Sequence, residues 1–440
     1  MRAARALKSD GLPTRPCGSD GMIGVAYVSP AWPQGVSANG VITYTTCLVE
    51  TLRGMGHRPY VLALRKESDS QDAFVVDAWM EGESRPLGRR LVDFLGHRLA
   101  PRRWWPVSLA ASLRSRISYL AREAGVQIVE IEEAFGIARH LGGRTEVPVV
   151  VRLHGPWFLV APSLGLGRDA PSRRRVWAEG QALRAAAAVT APSEDVIRRT
   201  RQVYGLTLPH AQVIPNPISP VAETERWNTG QCAAQSILFV GRFDRCKGAD
   251  MVVEAFGRIA PSHPSASLTL VGPDRGLVDD AGRTWSAETY LTDRLRDNSI
   301  RGRVAWLGAL PPSQIVELRR RCFVTVVCSR YENFPMVALE AMAFGSPLIA
   351  SRVGGLPEMV EDGRNGLLCR PGDPDDLAEK ILTLFSDSAL AARLGRQAGI
   401  DAEERYHPRV IAERTLNFYR GVIERTRSAG GRKPLVGLQR

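Results

Sequence analysis

The chain has 440 residues, a formal net charge of +12, 44% hydrophobic and 24% charged residues. These values exclude wholesale disorder and provide enough chain for two domains, each with its own core. Seven cysteines fall singly with no Cys-x-x-Cys pair, which fits reduced thiols better than a disulfide framework or a zinc site, and no apolar run is long enough to span a bilayer.

The elements follow in chain order. Residues 1–21 are basic, lack the apolar stretch of a signal peptide, and read as a flexible tail or an over-long start before Met22. Short Val/Ile-rich runs at Ile23–Val28, Tyr60–Leu64, Ile128–Ile131 and Val149–Leu153 read as strands, with a helix beginning near Val41. Residues 217–235 are rich in Pro, Thr, Asn, Gly and Gln and read as a linker. Strands resume at Ile237–Val240, Leu268–Val271, Val304–Leu307, Phe323–Cys328 and Pro347–Ala350. A last helix is expected over 409–427, as a candidate to cross back to the first domain, and 428–440 read as a second tail. Strand and helix alternate throughout, which predicts parallel sheets covered by helices, the doubly wound α/β class. The division is then a first domain over 22–216 and a second over 236–408.

Ligands of open α/β sheets bind beyond the carboxyl ends of the strands, so residues just after strands are the candidates. After the strand ending at Val240 comes "GRFDRCKG", which sets Gly241, Arg242 and Lys247 before a helix starting near Gly248. Two cations at a helix N-terminus suit an anion, although the spacing is not that of a phosphate loop. After Phe323–Cys328 comes "SRYENFPMVALEAMAFG", with Glu332 on a loop and Glu340 about one turn into a helix opened by Pro335. The amides near Met336 and Val337 are placed to hold phosphate oxygens. Glu340, set in an apolar run, has the acceptor pair that ribose hydroxyls require. In the first half, "VVRLHGPW" puts His154 directly after a strand, and "IEEAFG" puts Glu132 and Glu133 at the end of another.

"GRFDRCKG", "VIPNPI" and "SRYENFPMVALEAMAFGSPLIASRVGGLPEMVEDGRNGLL" resemble the retaining glycosyltransferases of family 4, glycosyl transferases group 1, including the Glu-x7-Glu pair Glu332 and Glu340. The resemblance runs from about Met22 to Tyr419. It implies the GT-B fold, two doubly wound Rossmann-like domains facing across a cleft, with the acceptor on the first and the nucleotide-sugar on the second. The donor would be a GDP- or UDP-sugar, held by Gly241, Arg242, Lys247, Glu332, Asn333, Phe334, Pro335, Met336, Val337 and Glu340. Arg242 and Lys247 would grip the diphosphate, Glu332 the transferred sugar and Glu340 the ribose. His154 would lie beside the reacting carbon, making His154, Glu332, Arg242 and Lys247 the catalytic set. Gly35, Glu133 and His154 would be acceptor-side, although the family's usual Gly-Gly pair is here Gln34-Gly35. Gly354 and Gly355 match its glycine-rich segment near the donor.

The implied reaction is hexosyl transfer with retention to a glycan or lipid-linked hydroxyl acceptor, in cell-envelope polysaccharide or glycolipid synthesis. No cofactor or metal is expected. The only Asp-x-Asp triplet, Asp373 to Asp375, reads instead as a helix cap. Residues 85–120 carry eight arginines, one acid, Phe94, Trp104 and Trp105, which suits either an anionic membrane surface or an exposed Arg-rich helix face; no nucleic-acid module accompanies them. Location is expected in the cytoplasm, on the inner face of the plasma membrane if that segment binds lipid. The alternative is a catalytically silent sugar-nucleotide scaffold or sensor on the same fold.

Overall fold

The structure is a computed structural model that describes residues 22–33, 40–66, 72–79, 101–163 and 165–428. The expected tails and Gly35 lie outside those residues, as does most of the basic segment before residue 101. The chain divides into two compact units, residues 1–217 with 408–440, and residues 218–407.

The first unit contains β1 (Gly24–Ser29), β2 (Tyr60–Ala63), β3 (Val75–Asp77), β4 (Val126–Glu132), β5 (Val149–Arg152), β6 (Ala188–Ala191) and β7 (Ala211–Val213). They form one parallel sheet in the order β3-β2-β1-β4-β5-β6-β7. The strand order reverses direction beside β1, the topological switch of a doubly wound fold. Central strands are buried along their whole length, as helices on both faces require.

Helix Pro408–Ser428 belongs to this unit. Ile411, Leu416, Tyr419 and Val422 share its core with Tyr27, Leu48 and Ile128. At their centre the buried carboxylate of Glu130 accepts from Tyr44 Oη at 3.0 Å and Tyr419 Oη at 2.8 Å. The described part of the basic segment forms helix Pro101–Glu123, whose Leu109, Leu113, Ile117 and Leu120 are buried. Arg114 and Arg116 donate to the carbonyls of His140 and Trp79. From residue 105 onward the segment is therefore a packed helix of the domain.

The second unit contains β8 (Ala233–Val240), β9 (Ser267–Val271), the antiparallel hairpin β10 (Leu277–Val278) and β11 (Thr284–Trp285), β12 (Val304–Trp306), β13 (Cys322–Val327), β14 (Leu348–Ser351) and β15 (Leu367–Cys369). Its main sheet is parallel, ordered β12-β9-β8-β13-β14-β15. Residues 218–235, read from sequence as linker, are part of this unit. Trp227 is buried, its Nε1 donates to Cys322 O at 2.8 Å, and β8 already begins at Ala233. Polar composition concealed one aromatic anchor. Among the described residues no helix is long and apolar enough to cross a membrane.

Replacing Tyr419 by Phe leaves a buried carboxylate one donor short. This should cost about 1–3 kcal/mol, read as a lower urea midpoint at unchanged slope; an unmoved midpoint would show that Glu130 does not tie the last helix down.

Candidate active site

In the second unit the loops after β8 and β13 are pressed together, and Gly248 is the reason. Its φ of 80° starts helix Ala249–Ile259, and a Cβ there would lie 2.1 Å from Cys328 O. Within the β8 loop Asp244 accepts from Arg242 Nε at 2.7 Å and from the main-chain amide of Lys247 at 2.8 Å. Across the gap Lys247 Nζ donates to Glu332 Oε1 at 2.6 Å, and Ser329 Oγ donates to the same oxygen at 2.7 Å. Burial pulls the Lys247 pKa down, but the charge of Glu332 and the bond to it more than offset that, so the net shift is upward and the ammonium stays charged. Arg330 braces the β13 loop with a bidentate pair to Asp250 at 2.8 and 2.6 Å.

Gly354 and Gly355 do permit a close approach, and its object is the protein itself. Gly354 has φ of 52° and a Cβ would fall 1.9 Å from Glu332 O, while the Gly355 amide donates to that carbonyl at 3.0 Å. The glycine pair thus fixes the main chain that carries Glu332.

Helix Met336–Ala343 follows Pro335 as the sequence implies. Its first internal bonds come from Ala338 and Leu339, so the Met336 and Val337 amides precede them. Asn333 is half-buried on the loop before it. Phe334, expected among the donor-binding residues, has a buried side chain that packs edge-on against Tyr406 at 5.6 Å. Only its main chain is left to face a ligand. Glu340 is half-exposed and held at 2.6 Å by the guanidinium of Arg319, whose side chain is 1% exposed. Burial lowers the Arg319 pKa, and Glu340 opposes the shift. Sequence reasoning missed Arg319 because it is the first of three arginines ending helix Pro312–Arg321, a run that reads as solvated.

In the first unit His154 follows β5 directly, and Glu133 lies just past β4. The Glu133 carboxylate accepts from the His154 amide at 2.9 Å and the Gly155 amide at 2.7 Å and is 2% exposed. It is a positioning residue for the His154 loop, which corrects its reading as an acceptor contact. The His154 ring stands edge-on to Tyr44 at 5.0 Å, and Arg152 lies over the other ring system, 3.9 Å from the Tyr44 centroid. Burial, then the Arg152 charge, hold the His154 pKa well below its ordinary value, so the imidazole is neutral near pH 7. Burial and the neighbouring Glu133 push Glu132 up to about 8. Burial, with Glu133, pushes Glu179 up to about 7 although it accepts from the Trp157 amide and Arg175.

Asp373 caps helix Pro374–Ser386, accepting from the Asp375 and Asp376 amides at 3.1 and 3.0 Å. Among the described residues no group of three or more His, Cys, Asp or Glu side chains converges as metal ligands would.

Two family models match, "Glycosyltransferase Family 4" over residues 38–221 and "Glycosyl transferases group 1" over 227–400. The chain belongs to the group 1 glycosyltransferases. A D-inositol 3-phosphate glycosyltransferase of Acidothermus cellulolyticus is 32% identical over 308 residues, 67% of this chain and 66% of the relative, so the match spans about two thirds of that protein. Sucrose-phosphate synthase from Thermosynechococcus elongatus superposes with a TM-score of 0.66 at 22% identity, covering 92% of this chain and all of that one. The Anabaena protein HepE in complex with UDP-glucose gives 0.63 at 21% identity, with 92% and 100% coverage. These likenesses identify the fold as GT-B, two parallel α/β domains.

Two outcomes are expected for this glycosyltransferase. Arg319→Met should leave the fold intact but raise KM for the donor at least about fivefold, since Glu340 loses the group that fixes its rotamer; unchanged KM would make Arg319 a packing residue only. Glu132 and Glu179 hold protons in the folded state that the unfolded chain, with a carboxylate value of 4.5, releases. The stability they contribute is full below about 4.5 and declines as pH rises toward about 8. Thermal unfolding across that range should show the decline in the parent and a flatter profile in Glu132→Gln.

Proposed function

We propose that this protein is a retaining hexosyltransferase that moves a sugar from a GDP- or UDP-linked donor to a hydroxyl of a glycan or lipid-linked acceptor, without a metal. The observation that carries the reading is the Lys247–Glu332 pair at the carboxyl ends of β8 and β13, with Arg242 on the same loop. A neighbour of the same fold holding UDP-glucose supports the donor class.

The leaving group needs positive charge where the glycosidic oxygen departs. Arg242, Lys247 and the amides at Met336 and Val337 supply it, and one such preorganised donor is worth about 10²–10³ in rate. Glu332 holds Lys247 charged until the donor arrives and then receives hydroxyls of the transferred sugar. Glu340, oriented by Arg319, accepts from the ribose hydroxyls. The bond from the anomeric carbon to the phosphate oxygen breaks as the acceptor oxygen attacks the same face. The acceptor proton passes to the departing phosphate oxygen. His154, kept neutral by burial and by Arg152, would add no repulsion to positive charge developing at a reacting carbon. The setting we propose is cell-envelope polysaccharide or glycolipid assembly, in the cytoplasm at the inner membrane face.

Lys247→Ala and Glu332→Gln should each lower nucleoside diphosphate release from UDP- or GDP-sugars at least about tenfold with matched circular dichroism. Release in the parent should persist in EDTA. Unchanged turnover in both variants, or loss in EDTA restored by manganese, would overturn the reading.

A further inference from the structure

The first unit has an open cleft of about 820 Å³ between helices Trp157–Ser163 and Ala170–Ala185, with Tyr204 among its lining residues. That volume is in the range that takes a whole small ligand. Its apolar walls are Trp157, Phe158, Leu166, Val176, Trp177 and Tyr204, with the indole N–H of Trp157 and the hydroxyl of Tyr204 among its buried polar atoms. The only charged residues that line it are Arg168 and Arg173, both exposed.

Two of these walls are unusual for a soluble surface. Trp177 is 60% and Leu166 48% exposed. The other large exposed apolar residues of this unit, among those described, are Phe135 and Val203. Phe135 lies under the Arg175 guanidinium at 4.2 Å, and Val203 adjoins Tyr204. Contiguous apolar surface around a hollow marks a binding site more often than idle exposure. The cations divide into two kinds. Arg175 stacks on Trp157 at 4.1 Å with its charge met by Glu179 at 2.9 Å, so it belongs to the wall. Arg173 donates to the Arg168 carbonyl, which draws the loop carrying Arg168 onto the helix. Among the described residues neither Arg168 nor Arg173 has a carboxylate within ion-pair distance.

An apolar hollow rimmed by one sign of charge selects its occupant. A bare inorganic anion would leave the cleft unfilled, and a neutral apolar chain would leave the two arginines unmet. We infer that this cavity takes a linear aliphatic chain joined to a phosphate, the chain inside and the phosphate at Arg168 and Arg173. This deepens the proposed function, and rests on it only in calling that molecule the acceptor: the transferase would work on a lipid-phosphate-linked hydroxyl.

The test needs no donor. Dodecyl phosphate, titrated below its micellar concentration against the purified full chain, should change tryptophan fluorescence saturably. Each methylene removed should weaken binding about fourfold, so decyl phosphate should bind about fifteenfold less tightly. Trp177→Ala should weaken it at least about tenfold. Joint Arg168→Ala and Arg173→Ala should do the same, while the stabilisation by UDP or GDP stays unaltered. Dodecyltrimethylammonium should not saturate the site. Equal binding of that cation, affinity independent of chain length, or unchanged affinity in Trp177→Ala would each overturn the inference. Loss of the proposed transferase activity with intact dodecyl phosphate binding would instead refute only the word acceptor.

Discussion

Main chain lying on main chain is the constraint from which the second unit's site follows. Gly272 has φ of 143° and a Cβ there would lie 1.9 Å from Gly241 O; Gly248 stands in the same relation to Cys328 O, and Gly354 to Glu332 O. Each pair joins the loops of two adjacent strands: β9 to β8, β8 to β13, and β14 to β13, neighbours in the sheet order. Sheet topology decides which loops meet, and a missing side chain at a left-handed residue lets them meet closely. Only with the backbones at that distance can Lys247 span from the β8 loop to Glu332. Any other residue at those three positions would push apart the loops that carry the charges.

The charges arranged on this frame are compensated before a ligand comes. Arg242 is paired with Asp244, Lys247 with Glu332, Arg330 with Asp250 and Arg319 with Glu340. Partly buried cations without such partners would cost several kcal/mol to desolvate. In the proposed complex a diphosphate would enter a site of paired charge, and its gain would come from exchange: Glu332 is half of an ion pair in the free protein and would become a sugar ligand. The first unit handles polarity differently. It turns the Glu133 carboxylate on main-chain amides and buries Glu130 under two tyrosine hydroxyls, and it leaves a mainly apolar cleft where the second unit has ion pairs.

Much of this was legible in the sequence, and the exceptions share a cause. The expected strands recur within a residue or two, except that β8 begins four residues before Ile237, because Val/Ile runs bounded by turns have few alternatives in a parallel sheet. Ala188–Ala191 was hidden in "AAAAVTAP", whose alanines favour helix, and Val75–Asp77 and Leu367–Cys369 are too short for periodicity. Lys247, Glu332 and Glu340 were singled out by motif and position after strands, and the structure pairs the first two with each other. What escaped was every relation decided by the third dimension: Arg319 reaching Glu340 from another helix, Glu133 turned toward amides, Phe334 turned toward Tyr406, and Trp227 pinning an otherwise linker-like stretch. Residue type announces capacity to bond, while the partner is set by packing.

The same packing determines what pH can do to this protein. His154 is the side chain whose ordinary titration lies in the physiological range, yet burial and Arg152 both favour its neutral form, and the tie from Glu133 is to its amide and leaves the ring aside. Protonation of His154 is thereby moved well below that range. Near it, burial lifts Glu132 to about 8 and Glu179 to about 7, and Glu179 holds the Trp157 amide at the start of the helix beyond His154. Ionisation of Glu179 acts at the start of that helix and on Arg175, which stacks on Trp157.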